Sequence, residues 1–229
     1  MGSSAGRARV VVLTGPSGAG KSRLAGALHT AYGWPIVRLD DFYRDGDDPG
    51  LPLVTLGAAQ LPDWDDPRSW NATAAVDALE ALVDTGSARV PTYDIAQSRA
   101  VGHTELTAAP DALLVAEGIF AAEIVPALRE RGLLAGAYCI THGRTRNAVL
   151  RFVRDLREGR KPPLVLLRRG LELWRREPAI IDRAVALGAS CGSPKSVHEA
   201  IRARLIASGP TAGPPDRGPH PWEQGRQPG

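Results

Sequence analysis

Residues 15–22 have the sequence Gly-Pro-Ser-Gly-Ala-Gly-Lys-Ser, which fits the phosphate-binding pattern G-x-x-x-x-G-K-[ST] at every specified position. The apolar run 8–13 before it is typical of a buried parallel strand, and residues 21–32 after it carry apolar side chains at helical spacing. In such a strand–loop–helix unit, backbone N–H groups and the helix dipole bind phosphate oxygens. The alternative is a glycine-rich turn that matches by accident, which the flanking strand and helix disfavour.

The loop predicts a nucleotide site, with ATP and Mg²⁺ as the implied cofactors. Lys21 is the expected catalytic cation at the β- and γ-phosphates, and the Ser22 hydroxyl is an expected Mg²⁺ ligand. The predicted nucleotide contacts within the loop are Gly15, Ser17, Gly18, Ala19, Gly20, Lys21 and Ser22.

Composition narrows the class of protein. The chain has 229 residues, the size of one α/β domain, and its net charge of +3 does not indicate a nucleic-acid-binding protein. Cys139 and Cys191 lie far apart in sequence and form no metal or redox motif, and Cys139 is expected in the core. No apolar run approaches the ~20 residues of a membrane span, and the N-terminus lacks a signal-peptide pattern. We therefore expect a cytoplasmic protein without membrane or nucleic-acid partners.

Strand-like and helical patterns alternate along the chain, which predicts an α/β fold with a parallel, P-loop NTPase-type sheet flanked by helices. Expected strands are 8–13, 35–39, 112–116, 135–140 and one near Val185; expected helices are about 21–32, 69–85, 145–159, 164–187 and 196–206. Residues 44–67 show little periodicity, and a short β excursion is expected over 88–107. The predicted domain covers 1–207, and the Pro/Gly-rich residues 208–229 are expected to be a disordered tail.

Carboxylates follow two of the predicted strands. Asp40 and Asp41 come after the second strand, and Glu117 comes after the strand at 112–116. Because ligands of open α/β sheets bind outside the carboxyl ends of the strands, these positions suit phosphoryl transfer. Asp40 would accept the proton of an acceptor hydroxyl, and Glu117 would hold Mg²⁺. The alternative is that each is a solvated turn carboxylate.

An arginine-rich helix is the third candidate feature. Arg151, Arg154 and Arg157 lie on one helix face, and Arg160 follows. Guanidinium groups neutralise the charge that spreads over a phosphoryl group in transfer, so this segment suits a lid over the phosphates at about 151–163. The alternative is a solvated face whose arginines pair with neighbouring carboxylates along the helix.

Over residues 8–207 the chain resembles the uridine–cytidine kinase family, within the wider group of phosphoribulokinase and uridine kinase. The resemblance runs in order through GPSGAGKS at 15–22, LDDFY at 39–43, DWDDP at 63–67, PTYD at 91–94, AEGIF at 116–120 and RFVRDLREGRKPP at 151–163. It implies ATP-dependent phosphorylation of a nucleoside 5′-hydroxyl, with Asp40 as the base.

The resemblance also implies site residues for the acceptor and the lid. Asp65 would be a buried carboxylate that binds the ribose hydroxyls, and Tyr93 would line the base pocket. The lid would contain Arg154 as a catalytic residue and Arg151 and Arg160 as nucleotide contacts. The full set of implied acceptor contacts is Tyr43, Trp64, Asp65, Tyr93, Gln97 and Arg99.

One departure concerns the acceptor. The family pattern continues from P-x-Y-D into F-x-x-H-x-R, whose histidine reads the pyrimidine, whereas residues 94–99 here are one residue shorter and lack it. Gln97 could hydrogen-bond a base in its place. The acceptor therefore stays open between uridine or cytidine and another hydroxylated metabolite, such as nicotinamide riboside, a sugar phosphate or a pantothenate-like acid. A nucleotide-dependent switch is the non-enzymatic alternative. The oligomeric state, including a homo-oligomer, is also open.

Overall fold

A five-stranded, all-parallel sheet forms the centre of the fold, as the sequence predicts. The structure is a computed structural model that describes residues 9–56, 59–141 and 177–208. The strands are β1 (Val10–Thr14), β2 (Ile36–Arg38), β3 (Leu53–Leu56), β4 (Ala59–Pro62), β5 (Ser87–Asp94), β6 (Arg99–Thr107), β7 (Leu114–Glu117), β8 (Leu134–Ile140) and β9 (Ser190–Gly192). The helices are α1 (Lys21–Tyr32), α2 (Ala72–Thr85), α3 (Val125–Glu130), α4 (177–186) and α5 (Pro194–Ser208). Short 3₁₀ turns span Leu39–Phe42, Pro67–Ser69 and Ala121–Ile124.

Strand β1 is the middle strand of the sheet, whose order is β2-β7-β1-β8-β9. All five of its residues are buried, because helices cover both faces of the sheet. Val10 and Val12 belong to the larger hydrophobic cluster with α2 and α3, whereas Val11 and Leu13 pack with α1 and α5. A run of β-branched residues suits this position, since a strand buried on both faces needs no polar alternation.

The structure differs from the sequence prediction in several segments of the described chain. Residues 44–67 contain the β3–β4 hairpin, whose leucines Leu53 and Leu61 are largely exposed, so no buried face marked it in the sequence. Val185 lies in helix α4, and the last strand is β9, which has little apolar character. Helix α2 begins at Ala72 rather than near 69, because the Asn71 side chain caps it by accepting a hydrogen bond from the Ala74 N–H.

The β excursion is a hairpin of two long strands, β5 and β6, rather than a short one. Its far end is fastened to the segment that follows β2. The Ala100 N–H donates to Asp45 Oδ1 at 2.7 Å, and the Gly46 N–H donates to the Ser98 carbonyl at 2.6 Å. These bonds bring the hairpin to the carboxyl edge of the sheet.

Several predictions concern residues outside the described part of the chain. These are the lid at 151–163 with Arg151, Arg154 and Arg160, the helix at 145–159, most of the helix at 164–187, and the tail from residue 209. Among the described helices, none combines the length and apolar character needed to span a membrane.

Candidate phosphoryl-transfer site

The loop at residues 15–22 joins β1 to α1, and three of its residues, Gly15, Gly18 and Gly20, are glycines with positive φ. Gly15 has φ +128°, and a Cβ there would lie 2.5 Å from the Ile140 carbonyl oxygen of β8. Gly20 has φ +95° and forms the N-cap of α1. L-residues with a side chain rarely adopt such backbone angles. The glycines of the motif are therefore required by the backbone path of this loop.

Lys21 opens helix α1 and lies against the loop. Its Nζ donates to the Gly15 carbonyl at 2.8 Å and to the Pro16 carbonyl at 3.2 Å. Only 8% of Lys21 is exposed, and the two hydrogen bonds hold its ammonium group against the backbone of the loop. This is the position from which a lysine of such a loop reaches bound phosphates.

Ser22 and Glu117 meet at the sheet edge. The Ser22 hydroxyl donates to Glu117 Oε1 at 3.1 Å. Glu117 is the last residue of β7, where it is level with Leu13 of β1 and Arg38 of β2. Burial raises the pKa of Glu117, and the nearby Asp40 carboxylate raises it further, whereas Lys21 and the Ser22 hydrogen bond lower it. Hard oxygen donors in an acidic, buried position fit Mg²⁺.

Asp40 lies in the 3₁₀ turn after β2, and its Oδ1 accepts a hydrogen bond from the Ile119 N–H at 3.0 Å. Gly118 makes this approach possible, since a Cβ there would lie 2.9 Å from Asp40 Oδ1 and from Leu39 Cβ. Sequence reasoning gave Gly118 no role. Its position directly after Glu117, at the end of a predicted strand, was the feature of the sequence that could have indicated this role.

Trp70 fixes the turn that carries Asp40. Its indole Nε1 donates to the Leu39 carbonyl at 2.5 Å, and the next residue, Asn71, donates its N–H to the Phe42 carbonyl at 2.9 Å. Trp70 is buried, and it contacts the Phe120 ring at a centroid distance of 6.3 Å. The start of α2 therefore sets the position of Asp40 through two hydrogen bonds.

Asp41 points to different partners. Its Oδ2 lies 3.7 Å from Arg38 Nε, and its carboxylate accepts a hydrogen bond from the backbone N–H of Tyr93. Burial is the main cause of a raised pKa of Asp41. Asp41 thus ties the β5–β6 hairpin to the sheet, while Asp40 lies beside Glu117.

An aromatic cluster adjoins Asp40. The Tyr43 ring lies 5.8 to 5.9 Å, between centroids, from the rings of Trp64, Tyr93 and Phe120. The Tyr93 hydroxyl donates to the Arg44 carbonyl at 3.0 Å, which fixes this ring. Burial raises the pKa of Tyr43, and the negative charges of Asp40 and Asp65 raise it further. Phe120 was missed by sequence reasoning.

Three predicted acceptor contacts lie at the surface. Asp65 is exposed, so the expectation of a buried carboxylate was wrong; its N–H donates to Asp63 Oδ1 within a turn. Gln97 is in the β5–β6 turn, where its amide donates to Asp94 Oδ2 at 2.7 Å. Arg99 is exposed at the start of β6. Gln97 therefore organises its own turn.

The chain is similar to known proteins in sequence and in structure. No protein-family model matches the chain. The chain is 30% identical over 159 residues to the inorganic pyrophosphatase TTM1 of Arabidopsis thaliana, a match that covers 69% of this chain but only 22% of that protein.

Two solved structures are similar at lower identity. A candidate fructose transport system kinase from Silicibacter sp. TM1040 is 18% identical, with a TM-score of 0.48 over 85% of this chain and 84% of that one. A possible uridine kinase from Bacillus stearothermophilus is 13% identical, with a TM-score of 0.41 over 63% of this chain and 77% of that one. The fold of the present chain is established by its own strand order and loop geometry.

The contact between Gly118 and Asp40 yields a prediction. We expect Gly118→Ala to push the Leu39–Phe42 turn away from Glu117, and to lower kcat for phosphoryl transfer by about 10²-fold, the cost of a displacement near 1 Å. Nucleotide affinity should change little, because the loop is untouched. Gly26→Ala is the matched control, since a Cβ on Gly26 of α1 meets nothing within 4 Å. Equal kcat in the two variants would contradict the assigned role of Gly118.

Proposed function

We propose that this chain is a kinase that transfers the γ-phosphoryl group of Mg²⁺-ATP to a hydroxyl group of a small acceptor. The observation that carries the proposal is the meeting of three parts at one sheet edge. These are the loop with Lys21, the Ser22–Glu117 pair and the Asp40 carboxylate. A phosphate cradle, a cation site and a proton acceptor are the parts that phosphoryl transfer requires.

In the proposed reaction, the loop N–H groups and Lys21 bind the phosphates. Ser22 and Glu117 would hold Mg²⁺, which when bound neutralises charge on the β- and γ-phosphate oxygens. Asp40 orients the acceptor hydroxyl and takes its proton as the oxygen attacks the γ-phosphorus. The new oxygen–phosphorus bond forms as the bond to the β-phosphate oxygen breaks, and ADP leaves. Arg151, Arg154 and Arg160 are proposed as lid groups that stabilise the transferring phosphoryl charge.

For the acceptor we propose a nucleoside, phosphorylated at its 5′-hydroxyl. Support comes from the rings of Tyr43, Trp64 and Tyr93, which form an aromatic wall beside Asp40. Flat heterocycles pack well on such walls. Asp65, which directly follows Trp64, is the proposed contact for ribose hydroxyls, and Arg99 is a proposed contact at the hairpin.

A kinase for a different hydroxylated metabolite is the second candidate. One observation favours it: the Gln97 amide is engaged with Asp94 inside its turn, and the base-reading histidine of the resembling family has no counterpart in residues 94–99. A site without such a group would discriminate poorly among bases, because specificity of this kind depends on buried polar groups that only the right ligand satisfies.

The two adjacent aspartates allow a matched test of the base. We expect Asp40→Asn to lower kcat by about 10²- to 10⁴-fold, the usual loss when a general base is removed. Asp41→Asn changes the same chemical group one residue away and should retain most of the activity, because Asp41 faces Arg38 and the Tyr93 backbone. If Asp41→Asn were the more damaging change in a folded protein, the assignment of the base would be wrong.

A screen of acceptors tests the proposed function directly. ADP formation should require an acceptor, and it should be fastest with ribonucleosides among uridine, cytidine, their 2′-deoxy forms, nicotinamide riboside, sugar phosphates and pantothenate. Inorganic pyrophosphate is included without ATP, because the sequence relative is named as a pyrophosphatase. Acceptor-independent, slow hydrolysis of ATP would favour a switch, and turnover of a non-nucleoside alcohol alone would favour the second candidate.

A further inference from the structure

Strands β8 and β9 place the two cysteines of the chain side by side. Cys139 and Cys191 are direct partners in the parallel register, so their side chains leave the same face of the sheet next to each other. Neighbouring strands lie about 4.8 Å apart, which is within the Cα separation of roughly 4.4 to 6.8 Å that a disulfide spans. The two cysteines are about 50 residues apart in the chain, so their spacing in the sequence does not indicate that they are neighbours in the fold.

The two thiols differ in access. Cys139 is fully buried in β8, and burial raises its pKa to about 12, which keeps it a neutral thiol. Cys191 is exposed. An oxidant in solution therefore reaches Cys191 first, and Cys139 is the group already in contact with the product of that reaction.

We propose that Cys139 and Cys191 form an oxidation site that closes to an intrachain disulfide when a hydroperoxide reacts with Cys191. The Cys191 thiolate attacks the peroxide oxygen, and the O–O bond breaks to give a sulfenic acid and hydroxide. The hydroxide removes the proton of the Cys139 thiol to give water, and the Cys139 thiolate attacks the sulfenic sulfur as the S–O bond breaks and hydroxide leaves. That hydroxide combines with the proton first lost by Cys191 to give the second water. In sum, two thiols and one hydrogen peroxide give one disulfide and two waters, and the two electrons pass from sulfur to oxygen.

The disulfide would lie directly behind the phosphate loop. Cys139 is level with Thr14, the residue before the loop, and the next residue of β8, Ile140, is the one that excludes a side chain at Gly15. After the other strand, Pro194, the first residue of α5, lies 3.6 Å from the position of a Cβ on Gly20. The cross-link would thus fasten the start of α5 and the loop to the same strand.

The test counts thiols and does not depend on the proposed kinase activity. The full chain is treated with hydrogen peroxide, denatured, and titrated for free thiols before and after dithiothreitol. We expect the parent to fall from two thiols per chain to none, with no covalent dimer, and to regain both on reduction. Its loss of mass should be that of two hydrogen atoms.

Two single variants locate the reaction. Cys191→Ser removes the exposed thiol, and this variant should keep its one buried thiol under the same treatment. Cys139→Ala should lose its single thiol to a sulfenic acid or to a dimer linked between chains. Retention of one or both thiols by the parent, or a cross-link between chains in the parent, would overturn the proposal. The Cys191→Ser result stands if Cys139→Ala fails to fold.

Discussion

The parallel register of β2, β7 and β1 is the constraint on which the rest of the site depends. The three strands are level at Arg38, Glu117 and Leu13, so the segments that follow these strands all begin at the same edge of the sheet. Because side chains alternate between faces, a slip of one residue in β7 would turn Glu117 to the opposite face of the sheet. It would then lose Ser22, and Gly118 would no longer lie beside Asp40.

The carboxylates that lie close together at the carboxyl edge of the sheet lower the stability of the folded chain. Glu117 is nearly buried and lies close to the Asp40 carboxylate, and both circumstances raise its pKa. Burying a carboxylate beside another costs free energy in the folded state unless a cation offsets it. Lys21 supplies part of that offset. Under the proposed function, this cost is expected, since a site that stabilises charge during a reaction holds charged groups in place before the ligands bind.

Part of this arrangement could be predicted from the sequence because it is local. The loop is encoded by eight consecutive residues, and the sheet edge follows from carboxylates that come directly after apolar runs. Contacts between distant segments could not be predicted. The hydrogen bond of Trp70 to Leu39 and the approach of Gly118 to Asp40 join segments that only the tertiary fold brings together. The same holds for the pairing of Cys139 with Cys191. The expected burial of Asp65 was wrong, because a resemblance to a family assigns a role to a residue but does not fix its exposure to solvent.

We propose that Lys21, Ser22, Glu117 and Asp40 form one phosphoryl-transfer site. A crystal structure with Mg²⁺ and a non-hydrolysable ATP analogue tests this most directly. We expect Lys21 Nζ to leave the Gly15 and Pro16 carbonyls for the β- and γ-phosphates. We also expect Mg²⁺ to be bound by Ser22 directly and by Glu117 directly or through water, with Asp40 facing the γ-phosphate. A nucleotide bound away from the loop, with Lys21 still on those carbonyls, would show that these four residues do not form such a site.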